Sequence, residues 1–501
     1  MTDVSVQRIR RLNQHAVAAD GAYVLYWMTA HRRLGWNFAL QRAVEHALQL
    51  SKPLLIFEPL RAGYRWANDR IHRFVIDGMA DHAAACAARG VTYLPYVEPF
   101  PDADKGLLAA LAAPACVVVA DDYPAFFLPH LIAAGAKQVP VLCEAVDANG
   151  VIPLRATDKP YVSAAHFRRF LQAKLPLFLR QGPDPDPLAR LGRMPKAKVP
   201  AEVARRWPAA STALLGGDAA ELARILIDHA VPPAPMRGGD SAGTQRIVDF
   251  LAEDLAAYGT ERNQPAHDRA SRLSPYLHFG HVGAHQAVMA ALDHAGWSPD
   301  RLATKVTGSR EGWWGSDPST ESFLDELITW RELGFVFCHH HPDTYDHYES
   351  LPTWARATLD LHAADPRPRT YDFAALDEAR THDLLWNAAQ TQLRREGRIH
   401  NYLRMLWGKK ILEWTKSPRE ALEVLIELNN RYALDGRDPN SYSGIFWTLG
   451  RFDRPWAPER PIFGSIRYMS SDNTAKKMKV GPYLARYAPD APASAALPWQ
   501  A

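Results

Sequence analysis

The sequence predicts two unlike halves: an N-terminal α/β unit built on a doubly wound parallel sheet, then a large all-α unit. Three observations predict this. Short, nearly continuous apolar runs alternate with helical stretches up to residue 150, a Pro- and Ala-rich stretch follows, and beyond Ser241 apolar positions recur at three-to-four spacing. The 501 residues suit two or three domains, and 47% apolar against 23% charged residues can bury a large core.

In chain order, strands are expected at Tyr23–Met28, Pro53–Phe57, Val91–Val97, Cys116–Ala120 and Val139–Glu144, each rich in β-branched or aromatic residues. Helices are expected between them at Trp36–Leu50, Asn68–Arg89, Gly106–Ala112 and Pro124–Ala134. The first strand runs into Thr29–Trp36 (TAHRRLGW), which lacks the glycine turn a dinucleotide pyrophosphate requires. From Asp147 to about Asp240, breakers at Pro183–Pro187 and Pro232–Pro235 read as an interdomain connector. The expected units are therefore 1–150, 151–240 and 241–487, with a frayed Pro/Ala-rich tail over 488–501. In the second half, helices are expected at Gln245–Tyr258, Gly283–Ala295, Ser322–Cys338, Leu376–Arg395, Ile399–Trp414 and Pro418–Tyr432. No repeat period emerges, so a solenoid is excluded.

No apolar run is long enough to span a bilayer, and the first residues lack the apolar core of a secretory signal, so a cytoplasmic protein is expected. Cys86, Cys116, Cys143 and Cys338 have no paired spacing, which predicts buried thiols and neither metal site nor disulfide framework. A net charge of +3 leaves the question of a polyanionic partner to local clustering.

Fifteen Trp are the more telling count. Trp407 and Trp414 fall on one stripe of the Ile399–Trp414 helix, and Trp386 on the preceding helix lies between them if the two pack antiparallel. Such a stripe serves core packing, or an electron path of three indoles. Ser271, Arg272 and Ser274 precede Pro275 at a helix start, a placement suited either to plain capping or to an anion. Glu326 and Trp330 are i and i+4 neighbours, so a carboxylate and an indole share one face and can grip a base. Basic residues cluster late (Arg394, Arg395, Arg398, Lys409, Lys410, Lys416, Arg451, Arg454, Arg460, Arg467, Lys476, Lys477, Lys479) among Trp447, Trp456 and Tyr468, the mixture nucleic-acid binding uses.

Eight segments in order carry a resemblance: YWM at Tyr26–Met28, VDANGVIP at Val146–Pro153, SRLSPYLHFG at Ser271–Gly280, ELITWREL at Glu326–Leu333, LWNAAQ at Leu385–Gln390, RMLWGKKILEW at Arg404–Trp414, LNNRYALDGRDPN at Leu428–Asn440 and RPIFGSIRYMS at Arg460–Ser470. Over nearly its whole length the chain resembles the photolyase/cryptochrome family, and within it the class II cyclobutane pyrimidine dimer photolyases. The resemblance implies a Rossmann-like antenna domain and a helical domain that holds FAD, fully reduced and anionic in its working form, with a deazaflavin (8-HDF) or a folate (MTHF) as compatible antenna pigments. It assigns Tyr258, Ser271, Arg272, Leu273, Ser274, Phe323, Arg331, Asn401, Arg404, Asp435 and Arg437 to FAD, and Asn429 to the neighbourhood of flavin N5. It assigns Glu326 to the lesion bases, Trp330, Met405 and Trp447 to the lesion-pocket walls, Arg467 to the gap left in the duplex, and Trp407, Trp386 and Trp414, in that order, to flavin re-reduction. The implied reaction is light-driven splitting of the dimer in UV-damaged DNA by a monomer that needs no obligate protein partner, no metal and no membrane, and that associates with the nucleoid.

The chain departs from class II at Gly334-Phe335-Val336, where Ala-Asp-Asn is usual, at Asn401, where Gly is usual, and at Ala270, where a hydroxyl residue is usual; Thr307–Ser319 matches nothing. A cryptochrome-like photoreceptor and repair of the (6-4) photoproduct stay open as alternatives, the latter through His339–His341 and His400, as does a non-photochemical flavin enzyme.

Overall fold

The computed structural model describes residues 3–488, so the tail expected beyond Ala488 lies outside the described residues. Six strands form one sheet: β1 (Ile9–Arg11), β2 (Tyr23–Trp27), β3 (Leu54–Leu60), β4 (Thr92–Val97), β5 (Ala115–Asp121) and β6 (Leu142–Val146), in the order β1-β6-β5-β2-β3-β4. All neighbours are parallel except β1, which pairs antiparallel with β6. The five expected strands are present, and β1 is an addition. Its three residues are too few to show any alternation, and pairing with β6 alone defines it.

Every residue of β2, β3, β5 and β6 is buried, as a sheet covered on both faces requires. The two-residue period sorts them. Val24, Tyr26, Ile56, Val117 and Val119 pack with helix Phe38–Leu50 on one face. Leu25, Trp27, Leu55, Phe57 and Val118 pack with Leu107, Leu111 and Ile132 on the other. Asn37 begins its helix by accepting the N–H groups of Ala39 and Leu40, and Asn68 does the same for Asp69–Arg89 through Ile71.

The stretch read as a connector is packed on both halves. Its helix Ala164–Phe178 puts Phe167, Leu171, Leu175 and Phe178 into the core of the helical half. Farther on, Ala197 accepts from Thr92 Oγ1 at 2.7 Å and Ala210 N–H donates to Pro95 at 2.8 Å, which covers the β4 edge. Proline density marks the breaks after Phe178, where only short helices follow before Asp240, whereas the contacts depend on chain folding.

In the helical half, Pro418–Tyr432 has the expected bounds. The helix expected over Leu376–Arg395 is two, Phe373–Asp377 and Leu384–Glu396, because Asp383 caps a new start by accepting Trp386 N–H at 3.0 Å. The Ser322–Cys338 expectation lies within a longer run, Pro318–Leu324, a π-helical turn Asp325–Trp330, and Arg331–His340. No helix among the described residues is long and apolar enough to cross a membrane, and all four cysteines are buried free thiols.

Candidate active site

The helical half holds a cleft of about 2480 Å³, solvent mouth included. Tyr258, Phe323, the Ser271–Ser274 segment, Glu326, Trp330, Arg331, Asn401, Arg404, Met405, Asp435, Trp447 and Arg467 all line it. These residues come from segments up to two hundred positions apart, and packing brings them onto one surface. Phe323 is fixed among Phe250 and Tyr258, with ring centroids 4.8 and 5.7 Å away.

Arg404 grips Asp435 with two parallel bonds of 2.8 and 3.1 Å. Burial works to raise the Asp435 carboxyl, but the Arg404 charge and hydrogen bonds outweigh it and hold the group below the usual carboxylate range. Arg404 Nε is itself a buried donor with no partner among the described residues, an N–H left for something in the cleft. At the Ser271 end, Arg272 adopts φ 58° and pairs with Asp268 at 3.2 Å, and Arg398 also binds Asp268. Burial opposes ionisation of Asp268, yet Arg398 and then Arg272 bring it down to about 2. The helix expected to draw an anion by its N-terminus is only Ser274–His278, and Ser271 Oγ already accepts Leu273 N–H at 3.4 Å. Any anion held here depends on side chains, since a five-residue helix has little dipole.

The π-helical turn places Glu326 and Trp330 on the same wall. Glu326 pairs with Arg262 at 2.5 Å, and Arg262 in turn lies 5.4 Å from the Tyr258 ring. Burial pushes Glu326 above its ordinary value, and Arg262 pulls it partly back. Sequence reasoning missed Arg262: it is 64 positions from Glu326, and a lone arginine past a helix end has no local signature. At the mouth, Arg467 lies over Trp456 at 4.0 Å and over Trp447 at 5.5 Å, and bonds Asp453 at 2.8 Å.

These arrangements meet close sequence relatives. The chain is 35% identical over 488 residues to a deoxyribodipyrimidine photo-lyase of Methanothermobacter thermautotrophicus, covering 96% of this chain and 98% of the relative. It is 32% identical to that of Potorous tridactylus, over 96% of this chain and 85% of the relative. The chain belongs to the deoxyribodipyrimidine photo-lyase family. A class III photolyase from Agrobacterium tumefaciens, 17% identical, shares the fold with a TM-score of 0.67 over 93% of this chain and 86% of its own. No protein-family model matches.

Within this photo-lyase family member, two residues expected at the flavin stand off the cleft wall. Asn429 is buried one layer behind it and donates to Ser441 Oγ at 2.9 Å, and Ser441 does line the cleft. Arg437 is turned inward to the carbonyls of Ala433 and Leu434, both at 3.2 Å, and faces a separate cavity at the junction of the halves. It caps the end of helix Pro418–Tyr432, a role a motif match cannot separate from ligand contact. Lys409 and Lys410, read among the basic surface cluster, are buried. Lys409 donates to Thr448 O at 2.6 Å behind Trp447, and burial lowers its ammonium to about 7. Of the histidines considered, His400 lines the cleft and His339–His341 do not.

Trp386, Trp407 and Trp414 are all buried. Trp386 Nε1 donates to the Trp407 carbonyl at 3.0 Å, and its ring lies 5.5 Å from that of Trp414, so Trp386 is the middle member. The family departures also have local reasons. A Cβ at Gly334 would come within 2.8 Å of the Pro439 carbonyl oxygen, so Gly lets two helices touch. Phe335 packs edge-on to Tyr123 at 5.6 Å and carries the Arg331 guanidinium at 4.3 Å, so aromatic packing occupies the place of polar groups. Arg331 donates to Asn149 O at 2.8 Å and ties the cleft to the loop after β6.

Proposed function

We propose that this protein is a light-driven DNA-repair enzyme of the class II kind, which splits cyclobutane pyrimidine dimers with FAD as its working cofactor. The observation that carries the reading is convergence: Glu326, Trp330, Met405 and Trp447 share one cleft with the Arg404–Asp435 pair and the Ser271–Ser274 segment. The residues fit the flavin. Ser271, Arg272 and Ser274 supply hydroxyls and a cation for its phosphates and ribityl chain, and Arg404 offers a buried unpartnered N–H beside a bound carboxylate. When bound and reduced, FAD supplies on illumination the electron that opens the cyclobutane ring.

The rest is the work of the chain. Trp330, Met405 and Trp447 form apolar walls that receive an extruded dimer, and extrusion from the stack is general to enzymes that act on bases, photolyases among them. Glu326, partly desolvated and oriented by Arg262, accepts or shares a proton with the base edge. Arg467, already stacked on Trp456, is placed to stack on bases left behind by the lesion. Trp407, Trp386 and Trp414 provide a buried indole route for an electron toward the cleft.

The antenna pigment belongs in the junction cavity of about 710 Å³, walled by Tyr64, Tyr123, Phe126 and Phe127. Flat aromatic walls suit the planar rings of a deazaflavin or of a folate. That cavity takes in the crevice after β2, since Thr29, Ala30 and Arg32 line it, although the N–H groups of Thr29, Ala30 and His31 are already held by Asp121 Oδ2 at 2.7 to 2.9 Å. No observation favours a (6-4) enzyme or a sensor, since a single histidine of those considered reaches the cleft and the lesion-facing residues converge.

The test is to illuminate reduced protein with dimer-containing DNA and follow the return of thymine absorbance, beside Glu326→Ala. Rapid recovery with the parent and marked loss with the variant are expected. No recovery with the parent would overturn the repair reading.

A further inference from the structure

We infer that the loop Thr307–Ser316 forms one jaw of the DNA mouth and that Arg310 at its tip binds a backbone phosphate beside the flipped lesion. This rests on the repair reading above and adds a contact to it. Arg310 lines the same cleft as Glu326 and Trp330. Its side chain is 54% exposed, and its one ion pair among the described residues, with Glu311 at 2.6 Å, joins it to a carboxylate that is 67% exposed. A pair in that setting is weak and readily exchanged for a phosphate.

The loop carrying this exposed cation is bolted down on both sides of it. Before Arg310, Gln172 Oε1 accepts Thr307 N–H at 3.1 Å and Gly308 N–H at 2.7 Å, while Gln172 Nε2 donates to Ser309 O at 2.9 Å. After it, Glu321 accepts Gly312 N–H at 2.5 Å and Ser316 N–H at 3.3 Å. Trp313 and Trp314 are buried beneath, and Trp297 Nε1 holds the Trp314 carbonyl at 2.7 Å. The anchor reaches the lesion wall, because Arg168 bonds both Gly308 O at 3.2 Å and Asp325, the neighbour of Glu326, at 2.7 Å. These bonds fix the backbone on either side of the exposed Arg310 guanidinium, which holds its base at the cleft rim. Preorganisation lowers the cost of ordering that side chain on binding. Arg467 offers a second guanidinium from another wall, so a duplex seated on the mouth meets cations from two walls.

The experiment measures binding in the dark, by fluorescence anisotropy, to a duplex carrying one dimer and to the undamaged duplex, over a series of salt concentrations. Arg310→Gln is expected to weaken both complexes about 5-fold at low salt and to make the salt slope shallower by about one, the signature of a lost phosphate contact. Glu311→Gln is expected to tighten both, by freeing Arg310. Arg193→Gln, an exposed arginine away from the cleft, is expected to change neither. A parent-like slope for Arg310→Gln, weakening confined to damaged DNA, or an equal effect from Arg193→Gln would overturn the proposal. A parent that binds both duplexes equally would instead overturn the repair reading, and the slope would still report on Arg310.

Discussion

The crevice at the carboxyl ends of β2 and β5 and the cleft of the helical half use the same polar groups to opposite ends. In the crevice, one carboxylate, Asp121, takes three successive backbone N–H groups and the Tyr26 hydroxyl, so those four donors are spent within the fold. In the cleft, carboxylates are matched to arginines, yet hydroxyls, indoles and the Arg404 N–H still face open space. A polar cluster that satisfies itself is architecture, and one that converges on space with donors to spare is a site.

The comparison predicts how each region fails. The largest effect is expected from Asp121→Ala, which strands three buried N–H groups and costs about 3–5 kcal/mol, read as a fall in thermal midpoint. Glu326→Ala is expected to do the reverse: little change in thermal midpoint, because one partly exposed carboxylate is lost, but about 10- to 100-fold slower dimer splitting. If Glu326→Ala unfolds the protein and Asp121→Ala does not, the distinction between the regions fails. Trp407→Phe is expected to abolish most flavin photoreduction while chemically reduced protein still repairs, at a stability cost of about 1–2 kcal/mol for the lost Gln390 bond and ring volume. Loss of both activities would contradict that division of labour.

A further effect, confined to alkaline pH, concerns Lys409. Its ammonium is lowered from 10.5 to about 7 in the folded protein, so between those values the unfolded chain holds the extra proton. Folded stability should therefore rise as pH climbs through that window, and Lys409→Met should flatten the rise in denaturant titrations. An unchanged pH dependence in Lys409→Met would assign the effect to another group.

Much of this was legible in the chain. The five parallel strands follow from apolar runs whose two faces are both covered, and helix starts near Asn37 and Asn68 follow from side chains that cap free N–H groups, whereas the new start at Asp383 within the expected Leu376–Arg395 helix went unread. The order of the three indoles came from the family resemblance, since stripe spacing relates Trp407 to Trp414 alone and Trp386 sits on another helix. Lys410 was not: a lysine paired with Glu413 in the helix interior has the same local sequence as one facing DNA. Asn429 and Arg437 show a similar limit, because a motif marks a residue as required without saying whether it lines the cleft or stands behind it.

Residue order alone thus determined what local energetics can decide: period, caps, breaks and which faces must be buried. Only tertiary packing decided that Arg262 meets Glu326, that Asp121 gathers the N–H groups after β2, and that the Thr307–Ser316 loop is fixed at the cleft. Those pairings join positions far apart in the chain, and no local propensity encodes them. They exist because burying a charge or an N–H is affordable only where folding delivers its partner.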